Sequence, residues 1–223
     1  MSQIISFVTS SIGRKLVMAI TGLLMIGFLV THMSANLLVI FDPEGYNAYS
    51  HALISNPLIY IAEFGLVVLF TGHLISGLAV TLQNRQARPI AYAEKNAAGH
   101  TSRKSVASTS MIVTGLVMAV FVPLHISAFK FGTWYDSTSH PGTRDLHRLV
   151  MEEFQSPLFV MWYVGAITLL ASHAWHGFGS AFESMGIAQR GWIRGSGQAL
   201  TALLWIGFCA VPIYVYFFVG GAS

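Results

Sequence analysis

The chain has 223 residues, 54% of them hydrophobic and only 9% charged, with a mean hydropathy of +0.61. A soluble domain carries roughly 25% charged residues, so this composition excludes a water-soluble globular protein and leaves an integral membrane protein. The net charge of +3 calls for no nucleic-acid partner, because basic residues flanking apolar spans are ordinary topology signals.

The first apolar block, 14–41, is too long for a removable signal peptide and is followed by no small-residue cleavage site, so it reads as a retained helix. It carries His32 and, one turn on, Asn36. A polar loop over 42–56 leads to the second block, 57–83, opened by Pro57 and carrying Glu63, Gly65, His73 and Gly77. A basic connection over 84–104 precedes the third block, 105–130, with Gly115, Pro123 and His125; Pro123 removes a backbone donor and is expected to bend this helix. The loop over 131–156 holds a short amphipathic helix near 143–154, whose charges rule out a spanning role. Pro157 opens the fourth block, 157–182, which carries Gly165, His173, His176 and Gly177. The fifth block, 197–219, contains the lone Cys209, so there is no intrachain disulfide and no thiolate cluster.

Each block supplies the ~20 residues needed to cross a bilayer as a helix. None alternates as a barrel strand would. The fold expected is one all-α domain over 1–223, a bundle of five transmembrane helices. Arg14, Lys15, Arg85, Arg88, Lys95, Arg103, Lys104, Arg190 and Arg194 fall on one side, against Lys130, Arg144 and Arg148 on the other. The positive-inside rule then places the N-terminus in the cytoplasm and the C-terminus outside.

That topology assigns the histidines a depth. At ~1.5 Å per residue, His32 lies about 27 Å beyond Arg14, and His125 about 30 Å beyond Ser105, both near the outer face. His73 lies about 15 Å before Gln83, and His173 about 14 Å before Phe182, both nearer the cytoplasm. A buried imidazole in a lipid-spanning helix is costly unless it has a partner. Four at two matched depths therefore read as two pairs of ligands for two haem irons, His32 with His125 and His73 with His173. Glycines echo the pairing, since Gly65, His73 and Gly77 recur at the spacing of Gly165, His173 and Gly177, and Gly22–His32 matches Gly115–His125. On the fourth helix His176 shares a face with His173 and is a rival ligand; periodicity alone leaves the two open. His51, His100, His140 and His147 fall in loops and read as solvated.

These residues give the chain a resemblance. Ser11-Ile12-Gly13-Arg14-Lys15 and Met18-Ala19-Ile20-Thr21-Gly22 leading to His32, the single histidines of helices two and three, and His173-Ala174-Trp175-His176-Gly177 continuing to Met185-Gly186 resemble the diheme cytochrome b subunit of the succinate dehydrogenase and quinol:fumarate reductase family, in its single five-helix anchor form. That family's pattern, a ligand histidine followed by glycines at four and thirteen residues, fits His173, Gly177 and Gly186 but not His176. The resemblance implies a multi-pass subunit of the bacterial cytoplasmic membrane, binding two haem b. It would anchor a flavoprotein subunit with FAD and an iron–sulfur subunit on the cytoplasmic face, passing electrons to or from membrane quinone, menaquinone or ubiquinone. The haem on His73 and His173 would be proximal to the iron–sulfur subunit and the haem on His32 and His125 distal.

For quinone, Glu63 is an acid inside an apolar block and reads either as a proton acceptor or as a neutral acid hydrogen-bonded between helices. Ser11, Arg14 and Lys15 are a second candidate at the cytoplasmic entrance, with a plain alternative as helix cap and orientation charges. Haem propionates need cationic partners near each surface; depth offers Arg85 and Arg88 at the inner end and Lys130, Arg144 or Arg148 at the outer. With no flavin fingerprint and no cysteine cluster, the chain cannot oxidise succinate alone. A diheme subunit of a formate or hydrogen dehydrogenase and a haem-free transporter or anchor are the competing readings.

Overall fold

The computed structural model describes residues 2–86, 106–138, 141–188 and 190–219. Among them the regular structure is helical apart from one isolated bridge between Asp136 and Arg144. In chain order the helices are α1 (Ser2–Thr9), α2 (Ser11–Phe41), α3 (Pro43–Ile54), α4 (Leu58–Gln86), α5 (Val106–Phe129), α6 (Leu146–Glu153), α7 (Pro157–Ser184) and α8 (Gly191–Tyr214), the last prolonged by a π-helical turn, Val215–Val219. Five of them, α2, α4, α5, α7 and α8, are long and apolar enough to cross a membrane, and the chain is a multi-pass membrane protein. Large apolar side chains such as Phe64, Ile75 and Leu158 stand exposed on these helices, the faces that lipid covers.

Local chemistry explains most boundaries. Ser10, not Ser11, caps α2: its Oγ accepts from the Gly13 amide at 3.0 Å. The turn from α1 brings the Phe7 carbonyl onto Gly13, where any Cβ would collide. The segment 42–56, expected as a loop, contains a helix. Asp42 both terminates α2 and caps α3, its carboxylate accepting from the Gly45 amide at 3.0 Å, with Pro43 in the first turn. α6 lies inside the expected amphipathic segment, capped by Asp145, which accepts from the Arg148 amide at 3.0 Å. α7 begins at Pro157 and ends in a Schellman turn at Gly186, whose φ of 80° favours glycine; the Ile187 amide reaches the Phe182 carbonyl at 2.9 Å. α8 starts six residues before the expected 197, because packing of Ile193, 2% exposed, outweighs the glycines around it.

α2, α4, α5 and α7 form a ring. α2 packs on α4 and α7, and α5 on α7 and more lightly on α4, so that α2 stands diagonally opposite α5 and α4 opposite α7. α8 covers α7 and α2 from outside the ring. α3 and α6 close one end, joined by Asn47, which donates to the Asp145 carboxylate at 2.8 Å and accepts from the His147 amide at 2.9 Å. An aromatic and aliphatic core including Val39, Tyr46, Val150, Phe154 and Tyr163 lies beneath this cap.

On the same cap the Tyr135 hydroxyl donates to the Glu152 carboxylate, and Arg148 donates to it at 2.8 Å while lying 4.2 Å over the Tyr135 ring. The Tyr135 hydrogen bond first, and Arg148 second, hold the Glu152 carboxyl below its usual range. A depressed carboxylate contributes stability above its unfolded pKa of about 4.3 and loses it as pH falls through the lower folded value. Trp134 fluorescence is therefore expected to report loosening of the segment 131–138 only in strong acid in the wild type, and at neutral pH already in Glu152→Gln.

Candidate functional site

The ring brings four histidines into two pairs, each spanning a diagonal. His32 on α2 faces His125 on α5 with ring centroids 5.7 Å apart and planes at 89°. His73 on α4 faces His173 on α7 at 6.1 Å and 66°. His176, the rival on α7, instead meets Ser180 within its own helix at 3.2 Å. On α2, about 15 Å of helix separates Gly22, which touches His73, from His32, so the pairs lie at two levels.

This spacing can be tested against a metal. An imidazole–metal bond is about 2.0–2.1 Å and the ring centroid lies roughly 1.1 Å behind the nitrogen, so two rings on opposite sides of one ion stand about 6.2–6.4 Å apart. The His73–His173 pair, at 6.1 Å, lies at the edge of that range, and the His32–His125 pair, at 5.7 Å, is closer than it. Among the described residues no group of three or more His, Cys, Asp or Glu could hold a bare metal ion. Two opposed imidazoles suit a metal whose other ligands come from a macrocycle, and haem is such a group.

The pairs are positioned by different chemistry. His73 Nδ1 lies 3.2 Å from Thr21 Oγ1 and 3.0 Å from the Met18 carbonyl, both on α2. Thr21 commits its own proton to the Val17 carbonyl at 2.7 Å, so it can only accept from the histidine. His173 repeats the arrangement on α5, with Nδ1 2.9 Å from Thr114 Oγ1, whose hydroxyl proton goes to the carbonyls of Met111 at 3.1 Å or Ser110 at 3.2 Å. Each Nδ1 therefore carries the hydrogen, and each Nε2 keeps the lone pair that a metal needs. Gly22 and Gly115 make room for these rings: a Cβ on Gly22 would sit 3.1 Å from His73 Cε1, and one on Gly115 3.5 Å from His173 Cε1.

The other pair is held mainly by aromatic contact. Phe28 stacks on His32 at 5.2 Å and Phe121 on His125 at 5.7 Å. Tyr163 places its hydroxyl 3.2 Å from His125 Nδ1. Asn36 donates to the His32 carbonyl at 2.8 Å and takes a long bond from the Tyr46 hydroxyl at 3.5 Å. Burial pushes the Tyr46 phenol up to about 12, so it stays a donor at any physiological pH.

Against protein-family models, curated proteins and solved structures, the chain finds no match. Its own residues carry the chemistry. They include a repeat wider than the glycines alone: Met18, Thr21, Gly22, Phe28 and His32 on α2 recur as Met111, Thr114, Gly115, Phe121 and His125 on α5, each 93 residues later. The first half of each motif seats the histidine of a neighbouring helix, and the second half presents a histidine of its own.

The other expected site residues have partners or positions of their own. Glu63 forms an ion pair with Lys130 at the capped end of the bundle and is half-exposed. That pairing also occupies Lys130, an expected propionate partner. Arg144 is buried and donates to four carbonyls, those of Phe129 at 2.9 Å, Lys130 at 3.2 Å, Gly132 at 3.0 Å and Thr133 at 2.9 Å; it caps α5 and is not free for a propionate. Arg148 is bound to Glu152. Ser11 and Lys15 are exposed and Arg14 half-buried at the start of α2; Arg85 is exposed at the end of α4, and Arg88 lies outside the described residues.

Proposed function

We propose that the chain is a diheme cytochrome b: the membrane-anchor, electron-transfer subunit of a succinate:quinone oxidoreductase. The observation that carries this is the pair of histidine couples, each bridging a diagonal of the four-helix ring with ring centroids 5.7 and 6.1 Å apart. His73 and His173 would hold one haem and His32 and His125 the other. Bound between these histidines, haem would supply one-electron transfer.

The chain's own residues set the conditions for that transfer. Thr21 and Thr114 fix ring tautomers, Phe28 and Phe121 fix ring planes, and the α3–α6 cap covers the His32–His125 level. With the N-terminus cytoplasmic, as the basic residues argue, the His73–His173 level faces the side where an iron–sulfur subunit and its flavoprotein partner would dock. The His32–His125 level then serves the far side of the membrane. Quinone would exchange electrons with this chain; Glu63 could take part in its proton transfer only if the Lys130 ion pair opens, and Ser11, Arg14 and Lys15 supply polar groups at the opposite end.

The test is purification of the native complex in mild detergent with succinate then dithionite added. Co-purifying flavin and iron–sulfur protein, with haem reduced by succinate, supports the reading. Haem that succinate leaves oxidised but formate or hydrogen reduces would transfer the chain to another dehydrogenase. Gly22→Leu gives an independent check: a branched side chain over His73 Cε1 is expected to cost one haem of the two, while Gly27→Leu, where an added Cβ meets nothing within 4 Å, keeps both in a haem assay.

A further inference from the structure

We propose that Thr21 and Thr114 are a matched pair of positioning residues for the His73–His173 site. Each accepts the Nδ1 hydrogen of the histidine on the adjacent helix and so holds that ring with Nε2 turned to coordination. The proposal rests on the haem reading above but goes beyond it, because it assigns the hydrogen-bonding partners that orient the ligands and set their basicity.

Three observations converge. Both threonines sit at the same place in the 93-residue repeat, four residues beyond Val17 and Ser110, to whose carbonyls their hydroxyls can donate. With that proton committed, the oxygen has only lone pairs to offer, and the ring nitrogen 3.2 Å away from Thr21, or 2.9 Å away from Thr114, must be the donor. The glycine that follows each threonine clears the space over the same ring. A serine-like contact on a lone histidine would be an ordinary polar pair inside a helix bundle. The same three-part device on two different helices, serving the two rings that face each other at 6.1 Å, is built for a shared ligand. The His32–His125 pair lacks it: there the ring nitrogens meet the Asn36 amide nitrogen at 3.4 Å and the Tyr163 hydroxyl at 3.2 Å.

The consequence is electronic as well as geometric. A histidine that donates Nδ1–H to an acceptor becomes a more basic ligand, which favours the ferric over the ferrous state. Removing both threonine oxygens leaves a backbone carbonyl on each side, Met18 for His73 and Met111 for His173, so the ligands weaken without being lost.

Redox titration and ferric low-spin EPR of the purified complex, with haem counted in parallel, test this. In Thr21→Val/Thr114→Val, which preserves side-chain shape, we expect the potential of one haem to rise, a tenfold change in ferric preference corresponding to about 59 mV. Its affinity falls by about 10–100-fold, and its EPR signal moves while the other stays fixed. Thr21→Ser/Thr114→Ser restores the wild-type signal. The single variants give smaller shifts of the same haem and carry the test if the double variant does not assemble. Unchanged potentials and spectra in the valine variants overturn the proposal, as does a shift confined to the haem that His32→Ala deletes. A wild type with no haem fails differently: it removes the haem reading itself.

Discussion

Alanine at His73 or at His173 is expected to delete one and the same haem, taking the complex from two haems per chain to one, and alanine at His32 or His125 is expected to delete the other. Either member of a couple suffices because each iron would lose one of only two protein ligands, and no third candidate among the described residues stands within either couple. Low-temperature absorption spectra of the four variants should therefore fall into two identical pairs. His176→Ala is the control: its ring is engaged with Ser180 one turn along α7, and both haems should survive its loss. Loss of haem in His176→Ala but not in His173→Ala would reassign the ligand on α7.

Arg144→Ala is expected to be the most destabilising single change outside the histidine sites. Its guanidinium satisfies four carbonyls, Phe129 at the end of α5, where the helix leaves acceptors unpaired and the local dipole is negative, and Lys130, Gly132 and Thr133 just beyond it. It is 8% exposed, and its guanidinium carbon lies over the Trp134 ring at 5.7 Å. Truncation strands several buried acceptors at once, a cost of about 3–5 kcal/mol, and at about 2–4 °C per kcal/mol the melting midpoint should drop by about 10 °C. Arg144→Lys should recover little of this, because a single ammonium cannot fork to four oxygens. Thermal unfolding of the complex in detergent, followed by loss of the haem band, reads both.

Sequence made some of this legible and hid the rest for physical reasons. Hydropathy over 20-residue windows is a strong signal because lipid offers the backbone no hydrogen bonds, so all five spans could be read. Fixed helical rise turns residue number into depth, which is why His32 could be matched with His125 and His73 with His173 from spacing alone. What depth does not carry is azimuth: spacing left His173 and His176 open, the family resemblance favoured His173, and the closed ring sets the His173 ring opposite His73. α3 was hidden because Asp42-Pro43-Glu44-Gly45 looks like a turn, when Asp42 and Pro43 in fact start a helix. The early start of α8 was hidden by Gly191, Gly195 and Gly197, where packing decides against propensity. Arg144 looked like a surface orientation charge, and nothing local to its sequence says that its partners are carbonyls 11 to 15 residues back. The Met, Thr, Gly, Phe, His repeat was available to a comparison of the chain with itself; its glycine and histidine stood out, but the threonine and phenylalanine look like ordinary membrane-helix residues until their contacts are seen.

The most direct test of the central claim is haem stoichiometry of the purified wild-type complex by pyridine haemochrome, normalised to this chain by quantitative amino-acid analysis. Two b-type haems per chain, both low-spin in the ferric state, is the result predicted from two bis-histidine couples. One haem, a high-spin signal from an open axial position, or none would contradict it.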